Sequence, residues 1–169
     1  MSLPRLGWFV VVGTLGGSAA GLAALTRGRH DLPGVDVHRV PDPPYACGPL
    51  LATYGATALI DTSDGLSGDL AHLAAASGVG FAVDVAALPA HPAVAETAEA
   101  LGVPGEGWVT GGGEDHALLA TLPPSAVDAA REACAGWPFA VVGVAVEREG
   151  IGWGGAAPGP SWDHYGGGT

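Results

Sequence analysis

The stretch 56-ATALIDTSDGLSGDLAHLAAASGVGFAVDVAALP-89 decides how this chain is read. Residues 56–60 are a short apolar run ending at Asp61, which suits a buried strand. Leu66, Leu70 and Leu73 then recur at spacings of four and three, and Ala74 completes the stripe. That spacing predicts an amphipathic helix over 65–76, with Gly78 as the residue that ends it. Residues 81–85, FAVDV, read as the next strand. Strand, helix and strand in one run point to a sheet covered by helices.

The same grammar extends in both directions. Residues 6–25 carry no charge, and with Arg5 ahead they have the length of a spanning helix and the outline of a signal peptide. Gly7, Gly13, Gly16, Gly17 and Gly21 interrupt them, however. The front part, 8–12, is β-rich and the back part, 18–25, is alanine- and leucine-rich, so strand, glycine turn and helix are predicted, without a membrane span. Pro33, Pro41, Pro43 and Pro44 predict an extended connection without helix over 31–45, followed by a short helix over 45–54. Beyond the opening stretch, a helix is predicted over 92–101, a glycine loop over 111–115 led by Trp108-Val109, and a strand over 116–122. A helix from Pro124 to about residue 135 and a strand over 139–146 follow, and the remainder from Gly150 is rich in glycine and proline. No internal repeat or low-complexity linker splits residues 1–169, so a single domain is expected.

Composition removes several function classes. Six basic residues, all arginine, stand against 17 acidic ones, and the net charge is −11. Such a chain repels a polyphosphate backbone and an anionic lipid surface. Hydrophobic residues make up 48% and charged residues 14%, enough apolar material for a core. Cys47 and Cys134 form no CxxC, and no histidine has metal-ligand spacing, which argues against a disulfide scaffold or a zinc site. Cys134 reads as core rather than nucleophile.

Three motifs could carry chemistry. Asp61-Thr62-Ser63-Asp64-Gly65 lies between a strand and a helix, where ligands of open sheets collect. Two carboxylates with a hydroxyl between them suit Mg²⁺, a hard cation that keeps waters and substrate phosphates in its shell. Ser63 or Asp64 would also serve as a helix cap. Gly111-Gly112-Gly113-Glu114-Asp115 allows close backbone approach to a ligand and aims two acids outward, or else is a solvated turn. Gly13-Thr14-Leu15-Gly16-Gly17-Ser18 has the outline of a phosphate loop but lacks its lysine, and a structural turn is the favoured reading. Trp162, in the glycine-rich tail, is either a stacking surface or a plug.

Together these pieces resemble the second half of the thiamine-monophosphate kinase family. The resemblance lies in residues 10–25 (VVVGTLGGSAAGLAAL), 56–89, 109–124 (VTGGGEDHALLATLPP) and 161–165 (SWDHY). Aminoimidazole ribonucleotide synthetase, selenide water dikinase and a hydrogenase maturation protein share the architecture. The GGED and WDHY motifs favour the thiamine enzyme among them. The resemblance implies an α+β fold, an α/β sandwich with a mixed sheet covered by helices. It implies transfer of the ATP γ-phosphoryl to thiamine monophosphate with Mg²⁺. Asp61 and Asp64 would be Mg²⁺ ligands, Ser63 an ATP contact, Glu114 a substrate contact, and Trp162 would lie against the thiamine. It also implies a cytoplasmic enzyme, a homodimer in the full-length family, and an N-terminal domain that these residues do not include. Here the loop reads GGGED, His116 stands where tyrosine is common, and Tyr165 stands in place of a terminal phenylalanine. The chain is therefore expected to be inactive alone. The competing readings are a relative acting on another phosphorylated small molecule, a non-catalytic ligand-binding or interaction domain, and a protein anchored through 6–25.

Overall fold

A computed structural model describes residues 5–154 of the chain. Six strands form one sheet in the order β2-β4-β1-β5-β3-β6. They are β1 (Arg5–Val12), β2 (Ala58–Asp61), β3 (Gly80–Asp84), β4 (Leu118–Leu122), β5 (Phe139–Val146) and β6 (Gly150–Gly154). All neighbours are antiparallel except β3 and β6, so the sheet is mixed. The helices are α1 (Gly17–Thr26), α2 (Gly34–Arg39), α3 (Cys47–Thr53), α4 (Leu66–Ser77), α5 (Pro92–Leu101), α6 (Glu106–Gly111) and α7 (Val127–Ala133).

The uncharged run near the N-terminus becomes the centre of this sheet. Strand side chains alternate between faces. In β1, Phe9 and Val11 enter one core with Leu66 and Leu70 of α4, Val94 of α5 and Val109 of α6. Val10 and Val12 enter the opposite core with Cys47 and Leu51 of α3 and Val127 and Ala130 of α7. Both faces are covered, so the strand is apolar at every position from Trp8 to Val12. The Phe9 ring meets that of Phe81 at 5.0 Å between centroids. Among the described residues, no helix is long and apolar enough to cross a membrane. Cys47 and Cys134 are both buried and free, and burial pushes the Cys134 thiol up to about 12.

Several expectations are corrected. Residues 31–45 do contain a helix, α2. Pro33 is its N-cap and Pro41 lies beyond its C-cap Val40, so no proline sits where a helical N–H is needed. Residues 56–60 are not a buried strand. The strand runs 58–61, pairs only with β4 among the described residues, at the edge of their sheet, and leaves Leu59 exposed. Trp108 to Gly111 belong to the helix α6 rather than to a lead-in and loop. Pro124 opens a 3₁₀ turn, Pro124–Ala126, and the α-helix α7 is shorter than expected. Residues 150–154 form β6, hidden in the sequence because three of its five residues are glycine, which weakens the strand signal.

α1 and α2 cross closely, at two small residues. A Cβ on Gly21 would overlap the Gly34 carbonyl oxygen, and one on Gly34 would lie 2.7 Å from the Gly21 amide nitrogen. The contact brings His38 of α2 to Ser18 of α1, with Nδ1 and Oγ 2.8 Å apart.

Candidate functional site

Sheet topology brings together the three motifs that sequence places far apart. Asp61 at the end of β2 and Val12 at the end of β1 both pair with Leu118 at the start of β4. The loop after β2, the loop before β4 and the loop after β1 therefore open from one end of three adjacent strands.

The β2 and β4 loops are joined by their backbones. The Glu114 amide donates to the Ser63 carbonyl at 2.8 Å and the His116 amide to the Thr62 carbonyl at 2.9 Å. The Thr62 amide donates in turn to the Ala117 carbonyl at 2.8 Å. The approach is close enough to require glycine. Gly65 has φ of 103°, and a Cβ there would lie 2.5 Å from the Gly111 carbonyl oxygen. Gly65 is also the N-cap of α4, so the capping position falls on neither Ser63 nor Asp64.

Side chains continue the join. His116 Nδ1 lies 3.2 Å from Asp61 Oδ2, and its Nε2 lies 3.6 Å from Glu114 Oε2. Asp61 is 38% exposed and Glu114 59%, so both carboxylates remain open to a ligand. Ser63 and Glu114 line a common groove of about 880 Å³, walled by α1 and α6 through Leu22, Trp108 and Gly111. The groove has the size of a small-molecule site. Asp61 and Asp64 supply hard oxygen donors of the kind Mg²⁺ accepts, and one or two carboxylates plus substrate phosphates suffice for that ion. Among the described residues, no three His, Cys, Asp or Glu side chains cluster as a ready-made metal cage. Trp162 lies outside the described residues.

Sequence reasoning passed over Asp69 and missed what His116 and Asp115 contact. Asp69 is buried on α4 and accepts the Asp64 amide through Oδ2 at 3.1 Å. Burial pushes its carboxyl up to about 6; the Asp64 amide opposes this, and the charges of Asp64 and Asp61 add to it. The signal was a carboxylate among Leu66, Leu70 and Leu73, where only apolar residues are expected. His116 bridges two candidate carboxylates, and its sequence signal was only a departure from tyrosine. Asp115 was expected to point outward with Glu114, and it points inward. Its Oδ2 accepts the Gly16 amide at 2.5 Å and its Oδ1 the Ser18 amide at 3.0 Å. The α1 N-terminus, where a phosphate would have been placed, is thus occupied by a carboxylate of the chain itself. Burial pushes Asp115 up to about 6 against the pull of these amides. The turn over 13–18 is structural, as favoured.

Fold and site define a class. Residues 8–154 match the family described as AIR synthase related protein, C-terminal domain, and the chain belongs to that family. Within it, the chain is similar to thiamine-monophosphate kinases. It is 50% identical over 112 residues to that of Mycobacterium tuberculosis, covering 65% of this chain and 34% of the relative. It is 41% identical over 148 residues to that of Halobacterium salinarum, covering 84% and 47%. The solved structure of AaThiL complexed with AMPPCP and TMP superposes with a TM-score of 0.81 at 30% identity, covering 95% of this chain and 52% of that one. The chain thus spans about a third to a half of the length of these relatives. The expected family and the mixed, helix-covered sheet are both borne out.

Proposed function

We propose that these residues form the C-terminal part of an ATP- and Mg²⁺-dependent thiamine-monophosphate kinase, which converts thiamine monophosphate and ATP to thiamine diphosphate and ADP. The observation that carries this reading is the joining of the Asp61–Gly65 and Gly111–Asp115 loops, which sets Ser63 and Glu114 in one groove and links Asp61 to Glu114 through His116. The similarity to thiamine-monophosphate kinases, and to a structure complexed with AMPPCP and TMP, supports the choice of ligands.

Asp61 and Asp64 would hold Mg²⁺, which neutralises phosphate charge when bound. Ser63 would donate its hydroxyl to ATP. Glu114, at the groove wall, would face the cationic thiazolium, and Trp162 would lie against the thiamine. Phosphoryl transfer depends on positioning and charge neutralisation more than on a covalent group, so no nucleophile is needed from the chain. Further metal ligands and the rest of the nucleotide site would come from the N-terminal domain of the full-length family. The same reading carries a homodimer and a cytoplasmic setting. The net charge of −11 fits the absence of a nucleic-acid partner.

Titration of the chain with thiamine monophosphate, followed by calorimetry, tests the substrate side. Binding should weaken about 10-fold in Glu114→Gln, which keeps the shape of the side chain and removes the charge that attracts the thiazolium. Unchanged affinity would overturn the role of Glu114. On the nucleotide side, Mg²⁺-dependent binding of an ATP analogue should be lost in Asp61→Asn; retention would overturn the metal assignment.

A further inference from the structure

Asp115 does not itself line the groove, yet it sits between two residues that reach the other loop. Glu114 lines the groove, whereas Asp115 lines a separate cavity of about 320 Å³ on the other side of its loop. Among the described residues, Glu114 (φ 65°) and His116 (φ 53°) are the only non-glycine residues with positive φ. They flank Asp115 directly. Each such torsion costs roughly 1–2 kcal/mol for an L-residue, so the surrounding structure must enforce it.

The enforcing contacts lie on two opposite sides. On one side the amides of Glu114 and His116 are bonded to Ser63 and Thr62. On the other the Asp115 carboxylate takes the Gly16 and Ser18 amides. The N-cap of α1 is Gly16, which has no side chain to satisfy those donors, so the carboxylate completes that helix from 97 to 99 positions away in sequence. Three successive residues are therefore tied alternately to the β2 loop, to α1 and to the β2 loop again. A chain pulled in alternate directions over so short a span has to turn sharply at the first and third residues, and these are the two left-handed ones.

We propose that Asp115 is a positioning residue: by clasping the N-terminus of α1 it holds Glu114 in the left-handed conformation that presents its carboxylate to the groove. The proposal rests on the reading of Glu114 as a substrate contact, and its structural half stands apart from that reading. Asp115 does not touch the groove and acts only through its neighbours. Removing it leaves Glu114 chemically intact but free to relax to negative φ.

The test is NMR of the isotope-labelled chain, wild type against Asp115→Ala and Asp115→Asn. A positive φ gives a strong intraresidue cross-peak between amide and α protons. In Asp115→Ala these peaks should weaken at Glu114 and His116 while the spectrum of the sheet is unchanged. Hydrogen exchange of both amides should speed up at least 10-fold. Asp115→Asn keeps one acceptor oxygen and should fall between the two, and it decides the matter if the alanine variant does not fold. Persistence of both torsions and of both protected amides in a folded variant would overturn the proposal. Titration with thiamine monophosphate then separates the two readings. Glu114→Gln should weaken binding without changing the torsion at 114, whereas Asp115→Ala should do both. If Glu114→Gln weakens binding and Asp115→Ala releases the torsions without affecting affinity, the positioning step fails and the role of Glu114 stands. If Glu114→Gln has no effect on affinity, the role of Glu114 fails and the NMR result still decides whether Asp115 is the clasp.

Discussion

At Glu114 the proposed binding role sets the demands of stability and of binding against each other. Its φ of 65° is strained for any residue with a Cβ and free of strain for glycine. Glu114→Gly relieves roughly 1–2 kcal/mol of torsional cost, offset by about 0.5–1 kcal/mol for the greater freedom of glycine in the unfolded chain. The expected outcome is a variant of equal or higher stability, with Tm raised by up to about 6 °C, that binds thiamine monophosphate more weakly. Thermal denaturation and titration of the same preparation check both halves. A clear drop in Tm would mean that the side chain contributes to folding and that the torsion carries no such cost. This part of the site was only half legible in the sequence. GGGED announced backbone freedom and two acids, but nothing local distinguishes an acid that faces a groove from one that faces a helix. That distinction depends on α1 lying beside the loop, a contact between residues about a hundred positions apart.

Among the secondary-structure elements, the crossing of α1 and α2 is the most intolerant contact. The two backbones meet at Gly21 and Gly34 with no room for a methyl group. Gly21→Ala must push α2 away, and the expected loss is about 2 kcal/mol or more from overpacking against backbone. This is despite the higher helix propensity of alanine, which by itself would add up to about 1 kcal/mol. The separation should also break the contact between Ser18 and His38. Chemical denaturation measures the first effect, and the NMR shift of the His38 ring the second. Stability equal to wild type would show that α2 can repack elsewhere. Elements with strong periodicity were legible: α4 and α5 emerge almost where the leucine spacing and Pro92 place them. The misreadings share a cause. α2 and β6 are short, carry weak local signals and are held by neighbours, α1 in one case and β3 in the other. Local sequence shows neither neighbour.

For the molecule as a whole, the raised carboxyls of Asp69 and Asp115 set the direction of its response to acid. Both titrate at about 6 in the folded chain, against roughly 4 when unfolded. Between those values the folded state binds more protons, so stability falls as pH rises from about 4 to 6, and the penalty is complete by pH 7. Self-repulsion at a net charge of −11 acts in the same direction. The chain should therefore have a higher Tm at pH 5 than at pH 7.5, and Asp115→Asn should flatten part of that slope. A Tm that rises with pH across this range would contradict the buried, raised carboxyls. The composition showed an acidic protein, but not which two acids lie inside it.

The place of β1 in the sheet bears on how the chain is made as well as on how it stands. Trp8 pairs with Leu122 on one side and Val144 on the other, so β1 is synthesised long before either of its neighbours in the sheet. Until β4 and β5 have been synthesised, Phe9 to Val12 form an apolar segment of high β-propensity without its neighbours in the sheet. Such a topology has a high contact order and folds slowly, with aggregation competing in the interval. Yield of the folded chain during synthesis should therefore depend on keeping that segment from pairing with other chains.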